Sequence, residues 1–468
     1  IPNLVYVVLG GALAAAFLPV FTETLVRQGR EAAARTAGTV LAAAALVMGL
    51  LALAGMAAAP GLVRVMAPGF GPAARQLTAE LTRLIFPVTL LFTLSMLLGA
   101  VLNALRHFVA PALTAVAFSL TVIASVYLLV PEMGVRGLAL GTSLAALAQM
   151  LVQLPALRGR LHLRLRWEPG DPAVRRVAAL AFPMMLGTSL SQAYVAIERI
   201  LASTLSEGSL AALNFANKLT FLPFNLFVMA VNTAVYPTLS AQAAEGDYPA
   251  LARTTAFGLT LVALFTLPAA VGLAVLAEPL VRLLFEHGAF DARSTSLTAY
   301  ALGFYVIGLF PQGAFQVLNR AFYSLQDTRT PVKIGVAVVG LNLALSLLLI
   351  GPLRHGGLAL AGSLAATANM VLAYAFLRRR LPQLPEARLL GSLARILLAC
   401  AGMGAAVLAA SRTLPALLDT AALGGQALLA ALCVALGVLV YAGLLLLLRV
   451  EEAGEAAARL RRRLARRS

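Results

Sequence analysis

Residues 137–146 read GLALGTSLAA and residues 357–366 read GLALAGSLAA, eight of ten positions being identical at a separation of 220. Three further matches keep the same order, at separations of 216 to 218: Pro19 with Pro237, Leu62-Val63-Arg64 with Leu280-Val281-Arg282, and Val101-Leu102-Asn103 with Val317-Leu318-Asn319. A single short match carries little weight among segments rich in Ala and Leu. Four in order indicate that the chain holds two copies of one unit.

Composition says what the copies are made of. The 468 residues are 60% hydrophobic and 12% charged, with a mean hydropathy of +0.89, against about 25% charged residues in a soluble domain. A water-soluble fold is excluded. Stretches of the ~20 apolar residues that cross a ~30 Å hydrocarbon core as a helix recur near 3–25, 39–59, 84–105, 109–130, 138–157, 177–204 and 209–240. Six more lie near 254–276, 296–324, 331–351, 357–377, 389–411 and 423–448. The expected fold is an all-α polytopic membrane protein with thirteen crossings.

Six crossings, an even number, separate the matched segments, so both copies face the same way across the membrane. Two parallel six-helix bundles related by an axis along the membrane normal are a transporter architecture. Residues 1–160 form the expected N-terminal lobe and 177–380 the C-terminal lobe. Residues 389–448 add two helices outside the duplication, and 449–468 form a basic tail. The first lobe shows five helices, so symmetry with 177–204 predicts one more before Ile1, fourteen in all.

The net charge of +17 comes from 34 Arg and 2 Lys against 19 acids. In a soluble protein that balance would point to nucleic acid. Here topology accounts for it. Assigned alternately, the loops of one side (26–38, 106–108, 158–176, 241–253, 320–333, 378–388 and 449–468) carry 25 Lys and Arg, and those of the other side carry eight. Basic loops are retained in the cytoplasm, which places the tail with Arg459, Arg461, Arg462, Arg463, Arg466 and Arg467 inside the cell. No nucleic-acid partner is implied. Cys400 and Cys433 fall in apolar runs and are expected to be buried, unpaired thiols.

Ionisable groups within a span cost about 2.5 to 3.5 kcal/mol on insertion scales and mark function by default. Glu198 and Arg199 lie in the outer third of 177–204, and Lys218 lies about nine residues into the next span, roughly 14 Å of rise. Facing inward, Arg199 and Lys218 would offer cations to an anionic headgroup. Asn214, Asn217 and Lys218 share one helix face by their spacing, and Asn225 and Asn232 extend the polar lining. Pro223 is expected to bend that helix. Asn342 and Ser346, four residues apart, are candidate ligands with Glu198 for a coupling cation.

Enzyme chemistry finds no footing: HExxH, P-loop and GxSxG patterns are absent. His107, His162, His287 and His355 are all placed in loops, and Glu286, His287, Asp291 and Arg282 are read as a solvated loop face. No catalytic residue, metal or cofactor is expected.

The wording of four segments resembles the MurJ (MviN) lipid II flippase family of the multidrug/oligosaccharidyl-lipid/polysaccharide exporter superfamily. These are IPNL at 1–4 with AAAFLPVFTE at 14–23, ALNFANKLTFLP at 212–223, EPLVRLLFEHGAFD at 278–291 and NRAFYSLQDTRTPVKI at 319–334. The resemblance implies fourteen helices, with the last two forming a groove for a lipid tail. It implies as substrate lipid II, an undecaprenyl-pyrophosphate-linked disaccharide pentapeptide, flipped from inner to outer leaflet by alternating access. The family's cationic site, an Arg in a pattern like A-[DN]-R-L, falls on Lys218 in Ala216-Asn217-Lys218-Leu219. Charge is kept there, but an ammonium lacks the bidentate fork of a guanidinium. Where many members read IPNLLRR, this chain has Val5-Tyr6-Val7, so its cationic site is expected to rest on Lys218, Arg199 and the helix before Ile1.

The expected protein is a monomeric lipid II flippase of the bacterial cytoplasmic membrane, in contact with membrane lipids and driven by Na+ or by the membrane potential. A multidrug or O-antigen-type exporter on the same fold is the alternative, and deep carboxylates beyond Glu198 would mark it. A prenyl-phosphate glycosyltransferase would need an acidic outer site and no parallel duplication.

Overall fold

The computed structural model describes residues 1–158, 161, 170–416, 418 and 422–450, and every element among them is helical. The tail beyond Val450 and most of the basic loop 158–176, with His162, lie outside the described residues. Ten helical segments are long and apolar enough to cross a membrane. The helices Gly11–Met66 and Arg329–Arg380 run 56 and 52 residues, roughly 80 Å if straight, far more than a bilayer needs. Each is broken by one residue with positive φ, Gly29 (φ 84°) and Arg354 (φ 51°). The arms on either side of each break, together with Pro172–Ser203, account for the thirteen apolar segments of the sequence.

Apolar side chains that water would drive inward lie open along the helices: Leu120 is 61% exposed, and Leu348 and Leu439 are each 71% exposed. Lipid is the solvent for such surfaces, so the helices associate through packing and polar contacts rather than through hydrophobic burial.

The chain divides into two compact units, Ile1–Thr204 and Leu205–Ser468. In the first, Phe17, Phe21, Ala37, Leu97 and Val101 form the core. The helix Pro172–Ser203, grouped with the second lobe on sequence grounds, contributes Val177 and Ala181 to it. In the second unit, Val228, Leu239, Val262, Leu309 and Leu318 pack together. The helices Glu386–Thr413 and Leu423–Leu447 dock on Tyr248–Val275 through Ile396, Ala399 and Cys400. Tyr441 Oη donates to the Leu264 carbonyl at 2.8 Å. Both cysteines are buried and free.

The duplication is legible bond by bond. Ser143 Oγ, inside the first quoted stretch, donates to the Leu84 carbonyl at 2.5 Å, and Ser363 Oγ, inside the second, donates to the Phe304 carbonyl at 2.7 Å. Gly134 (φ 58°) has Arg354 (φ 51°) as its counterpart, and Arg106 has Gln326, both at φ 58°. The amide of His107 bonds the Leu102 carbonyl at 2.8 Å, as that of Asp327 bonds Phe322 at 2.9 Å. All these pairs are 220 apart. The register of one sequence match is thereby corrected. Val101-Leu102-Asn103 is equivalent to Ala321-Phe322-Tyr323, not to Val317-Leu318-Asn319, because the C-terminal turns of the two helices align only that way. A slip of four residues is close to one helical turn of 3.6, so it preserves facing and imitates a true match.

Two π-helical turns also stand at equivalent places, Tyr6–Gly10 and Phe224–Val228, 218 apart. The second follows Pro223, where the sequence predicts a bend. A further correction concerns His355. Placed in a loop by its sequence neighbours, it lies within Arg329–Arg380 and is 3% exposed, because the reversal at Arg354 turns it against Ala292–Tyr305. Its Nε2 is 3.0 Å from the Leu297 carbonyl. Two segments between the apolar stretches also contain short helices, Pro72–Ile85 and Ala277–Phe285.

Candidate functional site

The helix Ser209–Pro223 starts behind Gly208, whose φ of 90° lets the chain turn. Ala212, Leu213, Ala216, Leu219 and Thr220 are its buried side. Asn214, Lys218 and, past the proline, Asn225 are exposed, and Asn217 is half-buried. These residues fall on the side of the helix that the second unit leaves open, together with the exposed Phe221 and Leu222. Asn232 does not join them. It is 6% exposed and its Nδ2 donates to the Val228 carbonyl at 2.9 Å, restoring a contact in the ladder beside the π turn. Asn214 Nδ2 likewise donates to the Leu210 carbonyl at 2.9 Å.

Lys218 Nζ stands 5.4 Å from the centroid of the Phe215 ring, one turn back on the same helix. Phe285 and Phe290 pack against Phe215 with centroids at 4.9 and 5.3 Å, the second edge-on at 89°. These rings escaped the sequence reading because they come from separate segments. The only signal was their presence in two motifs, ALNFANKLTFLP and EPLVRLLFEHGAFD.

That second motif is ordered by its charged groups. Asp291 caps Ala292–Tyr305, accepting from the Ser294 amide at 2.8 Å, and this bond holds its carboxyl below the usual range. Glu286 accepts from Thr295 Oγ1 at 2.5 Å and lies 3.5 Å from Arg282 Nε. Arg282, His287 and Asp291 are exposed, as a solvated loop face requires, and these bonds pin the turn that carries them.

Arg199 and Glu198 are half-buried near the end of Pro172–Ser203 in the first unit. Glu198 is engaged with a neighbour. Asn342 and Ser346 lie in the second unit, 5% and 4% exposed, and Asn342 is also engaged.

The remaining motif, 319–334, forms a turn. Asp327 accepts from the Thr330 amide at 3.0 Å and from Thr330 Oγ1 at 2.7 Å, with Arg380 Nη2 at 3.5 Å. The Thr330 bonds first, then the Arg380 charge, lower its carboxyl pKa. Arg320 lies 4.9 Å over the Tyr236 ring.

A profile of the family described as lipid II flippase MurJ matches residues 1–422. A probable lipid II flippase MurJ of Vibrio cholerae is 32% identical over 380 residues, covering 78% of this chain and 72% of the relative. The lipid II flippase MurJ of Burkholderia cenocepacia is 30% identical over 382 residues, covering 79% and 73%. Among solved structures, a lipid II flippase MurJ in an inward closed conformation aligns with a TM-score of 0.78 at 21% identity, covering 95% of this chain and 89% of that one. An inward-facing multidrug resistance MATE family transporter aligns at 0.72 and 16% identity, covering 82% and 90%. The structural likenesses establish a shared fold, and the sequence relatives separate the two branches of that fold.

Proposed function

The chain belongs to the lipid II flippase MurJ family, and we propose that Lys218 is the cation with which it holds the substrate's pyrophosphate. As a member it is a multi-span transporter of lipid II, serving peptidoglycan synthesis at the bacterial inner membrane. One observation carries the proposal: a lysine stands within a membrane span on a face that also presents Asn214, Asn217 and Asn225.

The ammonium supplies charge without the fixed fork of an arginine, so the amides of Asn217 and Asn225 add directional hydrogen bonds to phosphate oxygens. In a site removed from water the attraction grows several-fold over its aqueous value. Alternating access then opens this face to one side of the membrane and next to the other. With the cell interior negative, an anionic headgroup moves outward down the potential, each net charge gaining about 2.3 kcal/mol per 100 mV.

The test is complementation of a flippase-depleted strain, followed by lipid II translocation in proteoliposomes with and without an imposed potential or Na+ gradient. Lys218→Ala is expected to weaken rescue sharply, leaving residual translocation with a raised KM, and Lys218→Arg to retain it. Full rescue by Lys218→Ala at normal expression would overturn the assignment. Rate changes with potential but not with Na+ would identify the drive.

A further inference from the structure

We propose that Phe215, clamped by Phe285 and Phe290, is the positioning residue that holds the Lys218 ammonium at its working place. The proposal rests on the reading of Lys218 as the pyrophosphate cation. A lysine side chain has four rotatable bonds and loses much freedom when it binds. A ring face within about 6 Å attracts the ammonium through its quadrupole and narrows that freedom beforehand. The Lys218–Phe215 separation of 5.4 Å lies within this range.

A ring is a useful seat only if it is itself held. Phe285 ends the helix Ala277–Phe285 and Phe290 precedes the capping Asp291. Their own centroids are 6.0 Å apart, so Phe215, Phe285 and Phe290 form a closed triangle of mutual contacts. The turn between them is tied by Glu286 to Thr295 and by Asp291 to Ser294, with Gly288 at φ 62° reversing the chain. The aromatic and acidic residues of EPLVRLLFEHGAFD thereby acquire one purpose. They fix a ring, and the ring fixes a cation on the neighbouring helix. Because a phenyl face offers no hydrogen bond, the ammonium leaves it for a phosphate oxygen without breaking a directional contact.

The experiment measures initial lipid II translocation rates in proteoliposomes against substrate concentration for Phe215→Leu, Phe215→Trp, Phe285→Leu with Phe290→Leu, Lys218→Ala, and Phe215→Leu with Lys218→Ala. Thermal unfolding is followed in parallel. Phe215→Leu is expected to raise the apparent KM by about two- to five-fold, the size of an exposed cation–π contact, with the maximal rate little changed. Phe215→Trp should restore the wild-type KM, since indole is the better seat. The Phe285/Phe290 pair should reproduce Phe215→Leu, and Phe215→Leu should add nothing once Lys218 is gone. A full Phe215→Leu effect in the Lys218→Ala background, or a Trp variant no better than Leu, overturns the aromatic seat. If Lys218→Ala raises KM while Phe215→Leu does not, the seat fails and the cation stands. If Lys218→Ala leaves KM unchanged, the underlying reading fails.

Discussion

Val228 fills the space that Gly313 leaves: a Cβ on Gly313 would stand 2.8 Å from Val228 Cγ2 and 2.7 Å from Val262 Cγ1. In the first unit the equivalent contact is built the other way round. Gly10 occupies the Val228 position and Thr93 the Gly313 position, and a Cβ on Gly10 would lie 2.5 Å from Thr93 Oγ1. Each π turn needs a close neighbour, and one small residue suffices on either side of the contact. Gly313→Ala should therefore cost about 1 to 3 kcal/mol by overpacking, read as a lowered unfolding temperature in detergent. Gly313→Thr combined with Val228→Gly should be tolerated better than Gly313→Thr alone. Equal losses in the two would show that the contact is not interchangeable.

The serines of the quoted repeats should behave alike. Ser143→Ala and Ser363→Ala each remove one hydrogen bond to a carbonyl, worth about 1 kcal/mol. They share no partner, so the double variant should lose the sum. A loss confined to one half would refute their equivalence.

Arg354 adopts a backbone conformation (φ 51°, ψ −129°) that its counterpart Gly134 reaches as a glycine (φ 58°, ψ −137°). A side chain there costs about 1 to 2 kcal/mol. Arg354→Gly is expected to raise thermal stability and Gly134→Arg to lower it. Stabilisation by neither Arg354→Gly nor Arg354→Asn would locate a compensating contact on the arginine.

Asp327 gives the turn 319–334 a pH dependence of definite sign. Its pKa is lowered in the folded protein from about 3.9 in the unfolded chain. The stability it contributes is present above that unfolded value and is lost as pH falls through the folded one. The difference between wild type and Asp327→Asn should stay constant from neutral pH to about 5 and shrink in stronger acid. A difference growing on acidification would reverse the assigned cause.

Hydropathy and charge were enough to place thirteen helices, because a span must be apolar along its whole length whatever its neighbours are. The repeat was legible where both copies kept the same residues, as at Gly137–Ala146 and Gly357–Ala366, and slipped by four residues at Val101-Leu102-Asn103, where Ala- and Leu-rich helices repeat themselves every turn. Of the candidate site, the stripe of Asn214, Asn217 and Lys218 followed from helix geometry. The burial of Asn232 and His355 did not, since each depends on which helix is packed opposite. The Phe215, Phe285 and Phe290 cluster joins residues 75 positions apart in sequence, and no local pattern announces it.

The π turn at Phe224–Val228 has a final consequence for Lys218. A π turn is a stored residue, one more than the α-helix around it requires. When such a surplus passes along a helix, everything beyond it advances by about 1.5 Å and swings through roughly 100°. The segment Ser209–Ala244 therefore carries its own slack between Lys218 at one end and Tyr236 near the other. Its two ends can change the direction in which they face without the helix between them ever coming undone.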